Sequence, residues 1–588
     1  MNNCQLVIVD STKINECENL IKQKKWRWSF MGVSSRLRER IIIQLGSKDR
    51  YFYAEELQNI CIDQKGAFLD WLAEIGRRQD GFLWWATNVA YKIPCVSDLF
   101  LNYCYLILIK RWIDAKVTKR VIILENPWLL RACLFNFGSN SVNIIENNSY
   151  FLISQIKHKL VSYGRLLFFL LRSIRMWVLN KVYSLTYYEQ LKNIISDKVD
   201  ILSCTWIESR SFSDADNRFS DPYLGTLNEY YKKKGLKVIT TTLPVFPVEL
   251  LRKAYKSNEI IPSIYFVKLS DIIRSCFKSF FLKWDKNIPD NNGLDFTLLF
   301  DYEKTREKGG VCYVLLHYLA CLNMFRSNKL SFRILIYPFE NQPWDKMMVL
   351  AKKASKSKWK IVGCHNIGVP FFYLNFFLGE GEDKACPQPD LIASNGSHWQ
   401  QVLKNAGFSC TIENGGSLRF SSKTKENKAE DQSAEIYRDK NVLVLLSTFL
   451  YYSLDLIFFI LRQSQCDKTF YIKPHPDTPE KVIRRYLPEI PDNFIFVRGS
   501  IDEWMNRSRW AIHVGTTAAF ECMMHGIIVF KYLPERIDLD PLLGLNFRQK
   551  VVTDREVLKF KNKETLNVPD NSLLAEPFHK ELWNEILE

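Results

Sequence analysis

Two short stretches near the carboxyl-terminal end carry residue types suited to holding an anion. YIKPHPDTP spans 471–479 and HVGTTAAFECMMHG spans 513–526. In each, an apolar run of strand length gives way to a loop. Lys473 and His475 offer a positive charge and a hydrogen-bonding imidazole. Gly515 lets a backbone approach closely, and Thr516 and Thr517 add hydroxyls. The helix expected to follow turns its N-terminus toward the same place, which favours negative charge. Glu521, one turn inside that helix, is placed to accept hydroxyl hydrogen bonds. Alone, a His-Pro pair is a turn and a Gly-Thr-Thr a helix cap. In this order, on successive strands of a parallel sheet, both loops open onto one crevice at the strands' carboxyl ends. The class of ligand these groups suit is a nucleotide-sugar.

Transfer from such a ligand to a hydroxyl requires a side chain that takes the hydroxyl proton. Glu340 ends the strand FRILIYPFE and precedes a helix start. His365 ends the next strand, WKIVGCH. Asp221 follows the strand VDILSCTWIE, as do Asp214 and Asp216. All remain candidates. Against each stands a structural role: a carboxylate on a helix dipole for Glu340, a satisfied buried histidine for His365. Asp214-Ala215-Asp216 is formally a D-x-D sequence, but it lies in the serine-rich loop SRSFSDADNRFS and reads as solvated. No ligand spacing for a metal appears and no cofactor fingerprint, so neither metal nor cofactor is expected.

These residues need a scaffold of alternating strands and helices. CQLVIVD and RVIILENPWLL place an α/β region over 1–150. Residues 151–196 form an amphipathic helical segment. From 197 to 420, strands such as LKVITTTL and PDLIASNG alternate with helical stretches, which predicts a mainly parallel, Rossmann-like sheet. Residues 421–440, SSKTKENKAEDQSAEIYRDK, are almost wholly polar and read as a linker. A second such unit covers 441–540, and 541–588 forms a helical tail. The fold class is α/β, two Rossmann-like domains with an additional N-terminal region and a helical insert.

The His-Pro and Thr-Thr stretches resemble the His-Pro and Ser/Thr motifs of bacterial GT-B glycosyltransferases that use CMP-activated acidic sugars, the sialyl-, polysialyl- and Kdo transferases. More broadly, TWIESRSF, DPYLGTL, YPFENQPWDK, GCHNIGVP, PDLIASNG and KPHP are similar to a family of surface-carbohydrate biosynthesis proteins, over most of residues 200–535. The resemblance implies a GT-B-like fold whose two domains face each other, 441–540 binding the donor and 197–420 standing on the acceptor side. It implies donor-phosphate contacts from His475, Thr516 and Thr517, and a metal-independent transferase acting on O-antigen, capsule or lipopolysaccharide. The sequence departs from the CMP-sialic acid pattern at the acidic-Asp-Gly motif. Its nearest match, Glu413-Asn414-Gly415, falls where an ordinary strand end is expected.

Composition narrows the partners. The 588 residues carry a formal charge of +16 and are 47 % hydrophobic and 24 % charged, a balance that fits several packed cores. No nucleic-acid module is visible, so an anionic membrane surface and an anionic donor are the expected partners, with a lipid-linked or oligosaccharide acceptor. Fifteen cysteines without a C-x-x-C pair point to free thiols and a reducing, cytoplasmic compartment. The apolar run near the N-terminus reads as a buried first strand rather than a signal peptide. Residues 442–461 approach the length of a membrane span, yet Asp455 interrupts them and Ser447-Thr448 reads as a strand-to-helix junction. Residues 157–181 place Lys157, His158, Arg165, Arg172 and Arg175 on one helical stripe. That suits a helix lying on an anionic inner membrane, or equally a core helix with snorkelling arginines. Two other functions stay open: a sugar-nucleotide epimerase of the same architecture, and a non-catalytic membrane-associated assembly scaffold.

Overall fold

The computed structural model describes residues 6–79, 81–138, 142–196, 198–213, 218–285, 288–327, 329–366, 368–418, 438–463, 467–545, 549–560, 573 and 575–588. Among these, three parallel sheets form. The first has β1 (Leu6–Asp10), β2 (Arg27–Met31), β3 (Arg120–Leu124) and β4 (Asn143–Ile145) in the order β2-β3-β1-β4. The run LVIVD is buried throughout, as expected of a parallel strand covered on both faces.

The second sheet holds β5 (Ile201–Thr205), β6 (Val238–Thr242), β7 (Ile260–Ile261), β8 (Ile334–Pro338), β9 (Lys360–Cys364), β10 (Leu391–Ser394) and β11 (Thr411–Asn414). Its order is β11-β10-β9-β8-β5-β6-β7. The chain lays strands outward from β5 in one direction, then returns and builds outward from β8 in the other. The third sheet contains β12 (Asn441–Leu445), β13 (Thr469–Lys473), β14 (Phe494–Phe496), β15 (Trp510–His513), β16 (Ile528–Tyr532) and β17 (Lys550–Val552), ordered β14-β13-β12-β15-β16-β17. The same reversal occurs between β12 and β15. Such reversals open a crevice at the strands' carboxyl ends. Glu413-Asn414 closes β11 as an ordinary strand end.

The α/β architecture with two Rossmann-like units, an N-terminal α/β region and a helical insert is therefore present. Most of the polar stretch, 421–437, lies outside the described residues, as do Asp214 and Asp216. The tail needs correction. The third sheet continues past residue 540, because the β-branched pair at Val551-Val552 completes an edge strand whose Lys550 pairs with Phe530. The described helix of the tail is only Lys580–Glu585. It crosses back to the second sheet, where the Trp583 indole donates to the Gly415 carbonyl at 2.8 Å and Tyr231 Oη donates to the Trp583 carbonyl at 3.0 Å.

The run 442–461 divides into β12 and the helix Leu450–Leu461. Its aspartate has a structural task. Asp455, fully buried, accepts from Arg38 at 2.8 Å and from Arg536 at 2.6 Å. Close by, Arg50 meets Glu535 at 2.5 Å and Asp554 at 2.9 Å, and Arg462 bridges Glu39 and Asp554. These ion pairs fasten the N-terminal region to the third sheet's domain. Buried charges persist only when paired, so each carboxylate here fixes the arginines of another segment. Among the described residues, the cysteines are free thiols and no helix is long and apolar enough to cross a membrane.

The helical insert is two helices, Asn148–Thr186 and Tyr188–Ser196; Asn147 starts the first, its side chain accepting the Tyr150 N–H at 3.1 Å. Lys157, Arg165 and Arg175 are exposed, Arg172 is half-buried, and His158 packs edge-on against Trp128 at 5.0 Å. The basic stripe thus borders the exposed face, which is itself apolar.

Candidate functional site

In the third sheet, Leu445 of β12 lies opposite both Lys473 of β13 and His513 of β15. The loops after these three strands therefore leave side by side. That of β12 carries Ser447 and Thr448, that of β13 carries His475, and that of β15 carries Gly515, Thr516 and Thr517. The first two loops are tied together: Thr448 Oγ1 donates to Asp477 at 3.1 Å, and Thr478 Oγ1 donates to the Thr448 carbonyl at 2.6 Å.

His475 is half-buried. Its Nδ1 accepts the Asp477 N–H at 3.2 Å, which leaves the proton of the neutral ring on Nε2 as a donor. Burial pulls its pKa below the usual histidine value. Asp477 opposes that shift, and the Arg210 charge from the second sheet's edge lowers it further. Lys473 is turned elsewhere, its Nζ donating to the Gly499 carbonyl at 2.5 Å beyond the edge strand β14.

Gly515 sits at φ +82°, and a Cβ there would stand 3.3 Å from the Leu539 carbonyl oxygen. A side chain is excluded by both conformation and space. The following helix, Ala518–Met524, is shorter than expected. Its first N–H groups are partly used: Ala518 N–H donates to Thr516 Oγ1 at 3.3 Å, and Ala519 and Phe520 donate to the carbonyls of Thr516 and Thr517. What this corner could offer an anion is therefore side chains and the Gly515 turn more than a helix dipole. Thr517 is exposed and Thr516 half-buried. Glu521 lies one turn in, also half-buried.

The carboxyl edge of the second sheet comes within electrostatic reach of these loops through Arg210. Trp206 and Glu208 follow β5, Glu340 follows β8, and β5 pairs with β8 at the strand-order reversal. Glu208 accepts from Arg210 Nε at 2.7 Å and from the Tyr223 hydroxyl. Asp221 is buried. Its Oδ1 accepts the Tyr223 and Leu224 N–H groups at 2.8 and 3.0 Å and the Thr205 hydroxyl at 3.3 Å, while Oδ2 has no hydrogen-bond partner. Burial raises its pKa to about 6 against those bonds.

Glu340 is half-buried and accepts from Gln342 Nε2. Its backbone is held at both ends, by Asp345 accepting its N–H at 3.1 Å and by Asn375 donating to its carbonyl at 2.7 Å. Asp345, not Glu340, caps the helix Pro343–Ser355, so the Glu340 carboxylate is spared that role. Its charge reaches Tyr91, Cys95 and Tyr373, whose pKa values burial raises and Glu340 raises further. The N-terminal region thus borders the second sheet's edge through residues 91–95. His365 is enclosed, 1 % exposed, its ring against Phe376 at 5.5 Å. Its Nδ1 meets Asn395 Oδ1 at 3.0 Å, and Nε2 has no hydrogen-bond partner. Burial lowers its pKa to about 3, with Asn395 opposing.

The fold therefore gathers His475, Gly515, Thr516 and Thr517 on one edge and Asp221 and Glu340 on the other. It sets Lys473 aside and seals His365 behind the wall. Sequence reasoning missed Arg210, Glu208 and Tyr223, and it read Ser447-Thr448 only as a junction. Their signal is position after β5 and β12, the strands where order reverses. Among the described residues no group of three His, Cys, Asp or Glu side chains could hold a metal ion.

No protein-family model matches this chain, and no curated protein matches it. Among solved structures, it is similar to Acinetobacter baumannii MurG (9 % identity, 60 % of this chain and 86 % of that one, TM-score 0.31). Another is a UDP-N-acetylglucosamine 2-epimerase from Rickettsia bellii (11 % identity, 58 % and 81 %, TM-score 0.32). A third is the glycosyltransferase SnogD from Streptomyces nogalater (11 % identity, 66 % and 94 %, TM-score 0.31).

Proposed function

We propose that this protein is a metal-independent glycosyltransferase that moves a sugar from a nucleotide donor onto a growing surface glycan. The observation that supports this is the meeting of two strand-order reversals across one cleft, with Arg210 on one edge within electrostatic reach of His475 on the other. Donor phosphate is held by His475 Nε2–H, the Thr516 and Thr517 hydroxyls and Arg210, against a backbone that Gly515 brings close. Glu521 serves the ribose. Glu340 takes the proton from the acceptor hydroxyl. The acceptor oxygen then bonds to the anomeric carbon as that carbon's bond to the phosphate oxygen breaks. The charge released to the nucleotide is met by Arg210, His475 and the threonines. An acidic sugar from a CMP donor and a lipid-linked or oligosaccharide acceptor at the cytoplasmic face of the inner membrane complete the reading.

A thermal-shift series with CMP, CDP, UDP and GDP tests the donor site. A nucleotide at a hundred times its Kd is expected to stabilise the protein by about 2.7 kcal/mol. Charge-assisted hydrogen bonds contribute about 1.5–3 kcal/mol each, so His475→Ala and Arg210→Ala should each weaken that binding roughly ten- to a hundredfold with the fold intact. A chelator is expected to leave turnover unchanged. If no nucleotide shifts the transition, or if both variants bind as tightly as the parent, the donor site is not here.

A further inference from the structure

The helix Asn148–Thr186 is apolar on two opposite sides. Toward the protein it buries Leu166, Phe169 and Met176 in a hydrophobic cluster, with Ser154, Ser162 and Ser173 between them. On the opposite side Ile156, Leu160, Leu167, Leu171, Val178 and Leu185 recur at intervals of four and seven, one continuous stripe of a helix. All are exposed, Leu160 at 65 % and Leu185 at 77 %. A helix whose outer side meets only water carries polar residues there, not a second apolar stripe.

The stripe is not confined to one helix. The neighbouring helix Leu269–Phe280 leaves Ile273 and Phe277 exposed, Phe277 at 62 %, and Phe281 follows them into solvent. Tyr163 of the long helix lies against Phe280 at 5.8 Å, and Lys308 Nζ stands 5.5 Å from both rings. The two apolar faces therefore form one surface with a cation seated in it. Residues 148–186 contain six Lys or Arg and no Asp or Glu. Apolar surface of this extent marks an interaction site.

Charge decides what covers it. A second copy would press one all-basic helix against another, whereas anionic headgroups complement it. Neither helix is long and apolar enough to span a bilayer, so the side chains enter from the surface, where an interfacial helix buries its apolar face about 5–10 Å deep. We infer that these two helices form a platform that docks flat on an anionic phospholipid bilayer, with leucines and phenylalanines inserted and Lys157, Arg165, Arg175 and Lys181 among the headgroups. This rests on the membrane-edge part of the reading above but not on the donor chemistry, and binding to vesicles is measured without any nucleotide.

The test is co-sedimentation of the full-length protein with vesicles of phosphatidylcholine, with and without phosphatidylglycerol. Binding is expected only with the anionic lipid and should weaken with salt. Leu160→Glu with Leu167→Glu should lower it by about tenfold or more, since burying apolar area supplies much of the affinity. Phe277→Glu, on the other helix, should do the same. All three positions are exposed, so the unfolding temperature should not move. Sedimentation velocity should show a monomer. The inference is overturned by absence of binding to anionic vesicles, by full binding of both variants, or by a dimer that the same substitutions dissolve. If vesicles bind as expected and no nucleotide does, the platform stands and the donor site falls.

Discussion

Glu340→Gln is expected to abolish most turnover while leaving nucleotide affinity unchanged. A positioned general base contributes roughly 10²–10⁴-fold in rate, and the substitution removes the proton-accepting charge while keeping shape and the Gln342 contact in reach. Of the three candidate bases, Glu340 has the best access. Asp221 already spends Oδ1 on two backbone N–H groups and a hydroxyl, and His365 is walled in by Phe376 and Trp399. The measurement is kcat with saturating donor, beside the thermal shift given by nucleotide. Should Glu340→Gln keep its rate while Asp221→Asn loses it, the base is Asp221. In that case the pH–rate profile should break near 6, where burial has moved that carboxyl.

Asp455→Ala is expected to be the most destabilising single substitution proposed. The aspartate is fully buried between Arg38 and Arg536. Removing it strands two guanidinium groups away from water, and breaking such a buried pair costs about 3–5 kcal/mol. The denaturant midpoint should fall by a corresponding amount. An unchanged midpoint would mean that the network holds nothing. Replacing Asp455, Arg38 and Arg536 together with apolar residues of similar volume should recover most of the loss, because no charge is then left unpaired. The pH dependence has a definite sign. Burial alone would raise the Asp455 pKa, but the two arginines outweigh it and hold it below the usual 3.8; Asp554, beside Arg50 and Arg462, is lowered likewise. A carboxylate with a depressed folded-state pKa stabilises above its unfolded value and ceases to do so as pH falls through the folded one. The Asp455 and Asp554 pairs should therefore persist to pH 4 and be lost only in stronger acid.

Much of the third sheet's carboxyl edge was legible in the chain. KPHP and GTT each follow an apolar run of strand length, and carboxyl ends of parallel strands are where ligands bind. The division of 442–461 into strand and helix was legible too, because Asp455 is costly in lipid and Ser447-Thr448 breaks the run. The exposed face of the Asn148–Thr186 helix was only half legible. Its arginine stripe shows in the sequence, but the period alone cannot tell which side of a helix meets protein. Apolar residues line both sides, Leu166, Phe169 and Met176 inward and Leu160, Leu167 and Leu171 outward, so the pattern does not distinguish the packed face from the exposed one.

The local signals of this sequence determined strands, helices and the types of side chain their loops present, because hydrophobic period and turn chemistry act between near neighbours. Only the tertiary structure decided which loops meet. Sheet order brings β12 between β13 and β15 and so joins Thr448 to Asp477 and Thr478, in the loop that carries His475. Domain packing sets Arg210 toward an imidazole 265 residues further along the chain. Packing within each domain turned Lys473 to Gly499 and enclosed His365, and the N-terminal region brought Tyr91 and Cys95 within electrostatic reach of Glu340. Those outcomes depend on contacts between distant segments, whose energies depend on burial and charge pairing that no stretch of sequence contains by itself.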